Sequence, residues 1–429
     1  GPALQSAQTL SLTSAEIGAA ASSYVIGAVT GALVWGWITD RAGRRAVFYA
    51  TLCVYLAGVL LSAMAWNFWS FALFRAITGV GIGGEYAAVN SAIDELIPAR
   101  YRGRVDLIVN GSFWLGAAAG AAASPILLDP AVLPVDLGWR LGFGIGGVLG
   151  LSILFLRRYV PESPRWLVTH GRAEEAERTV AEIEARVEAT AGRSLAPAEG
   201  WLTVHPRRVF GLGMIVRSML GRYRARSVLA IVLMVAQAFL YNAVFFTYGI
   251  VMTRFYRVPE TSVGLYLLPL TLGNFCGPLF LGHFFDTIGR KTMIAGTFAV
   301  SGVLLLATAA LFGAGMLTAA TLNLAWIAIF FFASAAASSA YLTASEIFPL
   351  ETRALAIACF YAVGTALGGS LSPLLLGWLV GTGSAVALSG GYAVAALLLL
   401  AAAGTELKLG VDAEGKSLES IADPLSVEG

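Results

Sequence analysis

The sequence predicts an all-α membrane protein built from two homologous helical bundles, and three observations carry that reading. The chain is 57% hydrophobic over 429 residues and only 13% charged, about half the charged share of a soluble domain. Its apolar runs repeatedly exceed the roughly 18 residues that mark a membrane-crossing helix. Two copies of one polar loop also stand 246 residues apart, at Gly36 and Gly282. The first reads Gly36-Trp-Ile-Thr-Asp40-Arg41-Ala-Gly43-Arg44-Arg45 and the second Gly282-His-Phe-Phe-Asp286-Thr-Ile-Gly289-Arg290-Lys291. Each joins two long apolar segments.

In chain order, eleven spans are expected at about 15–38, 46–65, 68–94, 104–128 and 139–159, then 226–253, 260–284, 292–313, 320–344, 354–380 and 385–404. Helices satisfy their own backbone hydrogen bonds, so lipid can surround them. This divides the chain into a first bundle at 1–160, a polar linker at 161–225, a second bundle at 226–404 and a polar tail at 405–429. The linker begins an amphipathic helix in which Glu174 and Arg178 stand four apart and can pair. A second marker repeats in nearly the same register. Glu95-Leu-Ile-Pro98 with Arg102 returns as Glu346-Ile-Phe-Pro349 with Arg353, at an offset of 251. In the second half two helices precede the signature loop, and in the first half one full helix does. Twelve helices are therefore expected of the intact protein, with the last eleven in this chain.

Lys and Arg concentrate on one side of the expected membrane. Arg41, Arg44, Arg45, Arg100, Arg102, Arg104, Arg157, Arg158, Arg290, Lys291 and Arg353 share the side of the signature loops. The opposite side keeps Arg254, Arg257 and Arg140. The positive-inside rule then makes the signature side, the linker and the tail cytoplasmic. The formal charge of +2 gives no field for nucleic acid. Cys53, Cys276 and Cys359 lie in apolar runs and read as packing residues. His170, His205 and His283 form no metal-ligand spacing. No G-x-x-x-x-G-K-[ST] loop occurs, so no ATP-driven pump is indicated. No metal, cofactor or catalytic residue is expected, and the chain does not read as an enzyme.

The polar residues inside and beneath the spans are the functional candidates. Asp40 and Asp286 stand at helix ends with Arg44, Arg45 and Arg290 close by in sequence. An acid near one helix N-terminus and bases near another helix end can latch neighbours together, and a latch made in one state and broken in another biases a two-state equilibrium. Glu95, Arg102, Glu346 and Arg353, with Glu162 and Arg165 of Pro161-Glu-Ser-Pro-Arg165-Trp166, extend this to a charge network under the bundles. The third span holds Arg75 and Glu85 around the run Gly79-Val-Gly81-Ile-Gly83-Gly84. Charges there are costly unless paired or lining a wet cavity, and the glycines permit close helix approach. Candidate binding residues near the membrane middle are Gln237, Tyr241, Asn242, Phe245 and Tyr341 of the second half, with Asn110 and Trp114 of the first.

The paired G-x-x-x-D-x-x-G-R-[RK] loops resemble the signature of the major facilitator superfamily. Pro161-Glu-Ser-Pro-Arg165 resembles that of its sugar porter branch. The tail offers a partial twin in Gly404-Thr405-Glu406-Leu407-Lys408 and a better one in Glu414-Gly-Lys416-Ser-Leu418-Glu419-Ser-Ile421. The resemblance implies two six-helix bundles working by alternating access. It also implies that Arg75 pairs with a carboxylate on a preceding helix in proton coupling, with Glu85 a second coupling candidate. Gln237, Asn242 and Phe245 keep part of the sugar porter pattern, while Ala236, Phe239-Leu240 and Tyr341 depart from it. Gly116-Ala-Ala-Ala-Gly120 lacks the Gly-Pro pattern of drug/proton antiporters. Fewer amides and more aromatic surface imply a substrate less hydroxylated than a hexose, and Gly83-Gly84-Glu85 resembles branches that handle phosphate, aromatic acids or other organic metabolites. Together with Arg75, the resemblance implies proton-coupled symport of a small organic acid or related metabolite. A sugar or polyol transporter or facilitator is the alternative, followed by drug efflux or a non-transporting sensor. The expected partners are a small-molecule substrate, protons and the lipid bilayer.

Overall fold

The computed structural model describes residues 2–6, 8–157, 161–192, 194–195, 217–349 and 352–422. Among the described residues, ten helices are long and apolar enough to cross a membrane. A further helix, Phe68–Leu96, is 29 residues long and carries Arg75 and Glu85. Counted in chain order, the eleven spans are Ser14–Ala42, Arg44–Ala63, Phe68–Leu96, Arg102–Leu127, Val135–Arg157, Arg224–Arg254, Glu260–Thr287, Arg290–Gly313, Ala319–Glu346, Arg353–Gly381 and Ala385–Leu409. Short helices Pro164–Thr169 and Ala173–Ala191 follow the fifth span, and Leu418–Ile421 follows the eleventh.

Local chemistry sets where these helices begin. Thr13 and Glu16 form a capping box at the first span, Asn67 and Ser70 one at the third, and Thr318 and Thr321 one at the ninth. Each satisfies amides that the first helical turn leaves without partners. Gly43 and Gly289, the second glycines of the two loops, hold φ of +91° and +118°. Only glycine takes such a backbone readily, and it turns the chain straight from one span into the next.

The glycine run of the third span is a packing device. Cβ sites on Gly79 and Gly83 would strike the carbonyl oxygens of Tyr24 and Ala28 on the first span. Cβ sites on Gly27 and Gly31 would strike those of Ala76 and Val80 in return. Two small-x-x-x-small faces thus press backbone on backbone, the arrangement that holds helices together where lipid supplies no hydrophobic drive. Gly81 faces Tyr55 of the second span, and Gly84 lies between Thr51 of the second span and Trp35 of the first.

The two halves meet along two seams that exchange partners. The first span, which ends in the first signature, packs against the tenth. The seventh, which ends in the second signature, packs against the fourth. Each signature-bearing helix therefore lies on the other half's helix that follows the Glu/Pro/Arg marker, as a twofold-related pair of bundles requires. The fourth and seventh spans touch along their length, with Gly282 beside Arg104, Gly111 beside Pro278 and Gly264 beside Ser124. The linker differs from expectation in one pair. Arg172 bonds Glu175 three residues on, at 2.8 and 2.5 Å, and Glu174 makes no pair among the described residues. Arg172 is the N-cap of that helix, where its side chain reaches the first-turn acid.

Candidate functional site

Each signature turn is closed by a carboxylate from a distant segment. Glu162 accepts from the Arg44 amide at 2.9 Å and the Arg45 amide at 3.3 Å. Glu414 accepts from the Arg290 amide at 3.3 Å. Both acids therefore cap the first turn of the helix after the signature, where amides lack partners and the helix dipole favours a negative charge. They also lie against the two positive-φ glycines, Gly43 and Gly289. Below them, Arg165 donates to Glu419 at 2.6 Å and ties the linker to the tail. Burial pushes the Glu419 carboxyl up, but the hydrogen bond and charge of Arg165 more than offset it, so its pKa lies below the ordinary value.

The second signature also joins the halves. Asp286 accepts from the backbone amides of Gly103 and Arg104 at 3.0 and 2.8 Å. It thus caps the fourth span, which belongs to the other half. Arg290 donates to Asp286 at 2.8 Å, to both oxygens of Glu346 at 3.0 and 3.2 Å, and to the Phe285 carbonyl at 2.7 Å. Arg102 crosses from the first half to Glu346 at 3.3 Å. Arg102, Arg290 and Glu346 are each nearly fully buried. Buried charges are tolerated when each finds several partners, and removing one member strands the others. Arg353 is also buried and donates to the Phe348 carbonyl at 3.3 Å. The Asp40 and Glu95 side chains lie outside the described residues.

A second cluster joins the halves near the middle of their spans. Trp114 of the fourth span stacks on Tyr241 and Phe245 of the sixth, with ring centres 5.4 and 5.1 Å apart. Phe330 of the ninth span meets both rings edge-on at 5.0 and 5.2 Å. The Tyr241 hydroxyl donates to Asn274 at 2.8 Å. Gln237 is half-buried one turn away and makes no hydrogen bond among the described residues. Asn242 donates to its own helix at the Ala238 carbonyl and borders Gly369. That glycine ends a π turn, Thr365–Gly369, a departure from the α-helix that often marks working sites.

The same repeat places two unlike pairs in equivalent positions. Asn110 donates to Asn90 at 2.8 Å between the fourth and third spans. Tyr361 and Tyr341, each 251 residues further on, set their rings 6.3 Å apart between the tenth and ninth. Arg75 lies 4.4 Å over the Tyr24 ring and 5.7 Å from Phe143, with no carboxylate in ion-pair range among the described residues. Glu85 is partly buried on the same helix, more than two turns from Arg75.

Sequence reasoning missed Glu414 and Glu419 as site residues, and Phe330, Asn90, Asn274 and the π turn altogether. Buried amides inside a membrane helix are expensive, and that signal marks Asn90 and Asn274. Phe330 carries no such signal, because an apolar ring in an apolar helix reads as packing.

Two bundles that meet along a charged seam at one face, and share a cluster near the middle of their spans, define a multi-pass integral membrane protein of the major facilitator fold. The chain belongs to the sugar (and other) transporter family, whose model matches residues 2–421. It is 30% identical over 415 residues, 96% of this chain and 88% of the other, to the niacin transporter NiaP of Acinetobacter baylyi. It is 28% identical to the putative metabolite transport protein YdjK of Escherichia coli, over 92% of this chain and 85% of that one. Among solved structures, the proton:xylose symporter XylE bound to 6-bromo-6-deoxy-D-glucose aligns with a TM-score of 0.80 at 19% identity, covering 100% of this chain and 93% of that chain. Family and fold are those of transporters.

Proposed function

We propose that this protein is a proton-coupled symporter that carries a small organic acid, of the aromatic or unsaturated carboxylate class, by alternating access. The observation that carries the reading is the stack of Trp114 on Tyr241 and Phe245 with Phe330 at its edge. It offers flat apolar surface at the half-to-half interface and few amide donors, which suits a planar ring better than a polyol. Gln237, Asn242 and the π turn supply the polar rim, with Tyr341, Asn110 and Asn90 further along. Two relatives support the class by name, the niacin transporter and a probable 4-methylmuconolactone transporter of Cupriavidus pinatubonensis.

In this reading the signature side faces the cytoplasm, with the linker 161–225 and the tail 405–429. The bundles 1–160 and 226–404 rock about the shared site. Asp40, Arg44, Arg45, Glu95, Arg102, Glu162, Arg165, Asp286, Arg290, Glu346 and Arg353 form the lock that holds the cytoplasmic side shut. Arg75 and Glu85 are the coupling groups. The bilayer, protons and the substrate are the partners.

Reconstituted protein tests it. Radiolabelled nicotinate should accumulate in liposomes under an acid-outside gradient and stop doing so when the gradient is collapsed. Gln237 and Asn242 favour a second reading, a sugar or polyol carrier, which relatives named as inositol and glucose transporters also represent. Uptake of myo-inositol or glucose with none of nicotinate would establish that reading and remove the first.

A further inference from the structure

We propose that Tyr24 is the positioning residue for Arg75, holding the guanidinium on its ring face where proton coupling can use it; the role rests on the proton-coupled reading above. Arg75 lies two turns into the third span and makes no hydrogen bond or ion pair among the described residues. Its printed neighbours are aromatic. The guanidinium carbon stands 4.4 Å from the centre of the Tyr24 ring, on the first span, and 5.7 Å from that of Phe143, on the fifth. A ring face attracts a cation through its quadrupole, and the attraction grows where water is excluded. The ring takes no proton from the cation and does not neutralise it. The guanidinium is thus held in one place and keeps its charge.

Both rings are themselves fixed. Gly79, one turn after Arg75, leaves room for the Tyr24 carbonyl, so the third span lies backbone on backbone against the first at this level. Phe143 meets Phe71 and Trp139 edge-on at 6.0 and 6.3 Å, and Phe71 is one turn before Arg75. Three helices of the first bundle therefore close round the cation. The titratable groups that face this cage are Tyr24 of the first span, Tyr55 of the second and Glu85 of the third, and Tyr361 of the tenth faces Tyr24. The repeat shows that the architecture asks for a ring at this place and not for a charge. The third and ninth spans begin in one register, with capping boxes at Asn67 and Thr318, and the residue 251 positions beyond Arg75 is Trp326. Trp326 is fully buried and packs on Tyr248 at 5.1 Å and Tyr392 at 6.3 Å. The first half sets a guanidinium where the second sets an indole, within the same kind of aromatic surroundings. A charge placed inside a span in this way is a functional group by default.

The experiment compares two activities of the full chain in liposomes: accumulation of radiolabelled nicotinate under a proton gradient, and exchange of labelled for unlabelled nicotinate without one. Tyr24→Leu should lower accumulation about tenfold, the size that one desolvated cation–π contact gives, and leave exchange within about twofold. Tyr24→Phe keeps the ring and should accumulate as the unmodified protein does. Melting in detergent reads the same contact without substrate. The losses from Tyr24→Leu and Arg75→Ala should not add in the double variant, because each alone already breaks the contact. Undiminished accumulation by Tyr24→Leu overturns the proposal. So does an equal fall of accumulation and exchange, which makes the ring structural, or loss of accumulation in Tyr24→Phe, or additive melting losses. If Tyr24→Leu does not fold, Tyr24→Met replaces it, and failure of both to fold also assigns a structural role. No accumulation by the unmodified protein overturns the coupling reading and the proposal with it, and that failure is visible before any variant is compared.

Discussion

Glu162 and Glu414 are counterparts: each places its carboxylate on the first amides of the helix after a signature loop, at Arg44 and at Arg290. One comes from the linker that follows the first bundle, the other from the tail that follows the second. Both segments lie outside the spans, yet each completes a turn between two of them. The signature loop is therefore not self-sufficient, because its helix start depends on a carboxylate more than a hundred residues away.

Gly43→Ala tests that dependence. The residue holds φ of +91°, and a Cβ there would strike the Glu162 carboxylate. A strained backbone costs about 1–3 kcal/mol, and displacing the cap adds to it. The expected result is a lowered melting temperature in detergent. Gly404→Ala, where a Cβ meets nothing within 4 Å, should leave it unchanged. Equal melting of the two variants would remove the turn argument.

Asp286→Asn should leave the fold intact and unbalance the two states. The carboxylate accepts two amides from the opposite half and one guanidinium. Losing its charge costs about 1–3 kcal/mol, or roughly 5–150-fold in a two-state ratio. Turnover in liposomes should drop while substrate affinity stays within a few-fold. Asp40→Asn should act in the same direction through the first signature. Unchanged turnover in both would count against a gating role.

Acid should release the tail. The folded pKa of Glu419 lies below its ordinary 4.5 because the bond to Arg165 outweighs burial. A depressed pKa stabilises the folded contact above the unfolded value and loses that contribution as pH falls through the folded one. Exchange of the 417–422 amides should thus stay slow at neutral pH and quicken below 4.5. Arg165→Ala should quicken it already at neutral pH. Protection that persists in acid would show that apolar burial of Leu418 and Ile421 holds the tail alone.

Trp114→Ala should weaken binding of a planar carboxylate. One ring is lost, and a single aromatic contact to a planar substrate contributes about 1 kcal/mol, which is roughly fivefold in affinity. The effect belongs in KM, with the pH dependence of uptake preserved. A KM equal to that of the unmodified protein would make the cluster simple packing.

Arg75→Ala should abolish accumulation driven by a proton gradient and leave exchange of labelled for unlabelled substrate across the membrane. The guanidinium lies over the Tyr24 ring at 4.4 Å, with no carboxylate in ion-pair range among the described residues. Full accumulation in the variant would take Arg75 out of the coupling mechanism.

The spans, the repeat and the turns were legible because each is a local pattern. Long apolar runs, Gly-x-x-x-Asp-x-x-Gly spacing and capping residues such as Asn67 and Ser70 need no distant partner to be read. The candidate site was legible only in part. Tyr241, Phe245 and Trp114 stood out as polar or aromatic residues in apolar helices, and they stack together. Phe330 completes their cluster but is indistinguishable in sequence from any lipid-facing ring. Glu174 and Arg178 had the spacing of a pair, yet Arg172 won the contest for an acid because it stands at the helix start beside Glu175.

By itself the sequence determined that this protein is helical, membrane-embedded and twofold repeated, since the membrane admits few solutions for a chain so apolar and so regularly interrupted. Which acid serves which amide was decided only by tertiary structure. Asp286 caps a helix of the opposite half, Glu414 closes a turn 124 residues back along the chain, and Glu346 holds arginines from both bundles. Those choices depend on how two bundles meet, and hydrogen-bond geometry selects among many acids that look alike in sequence.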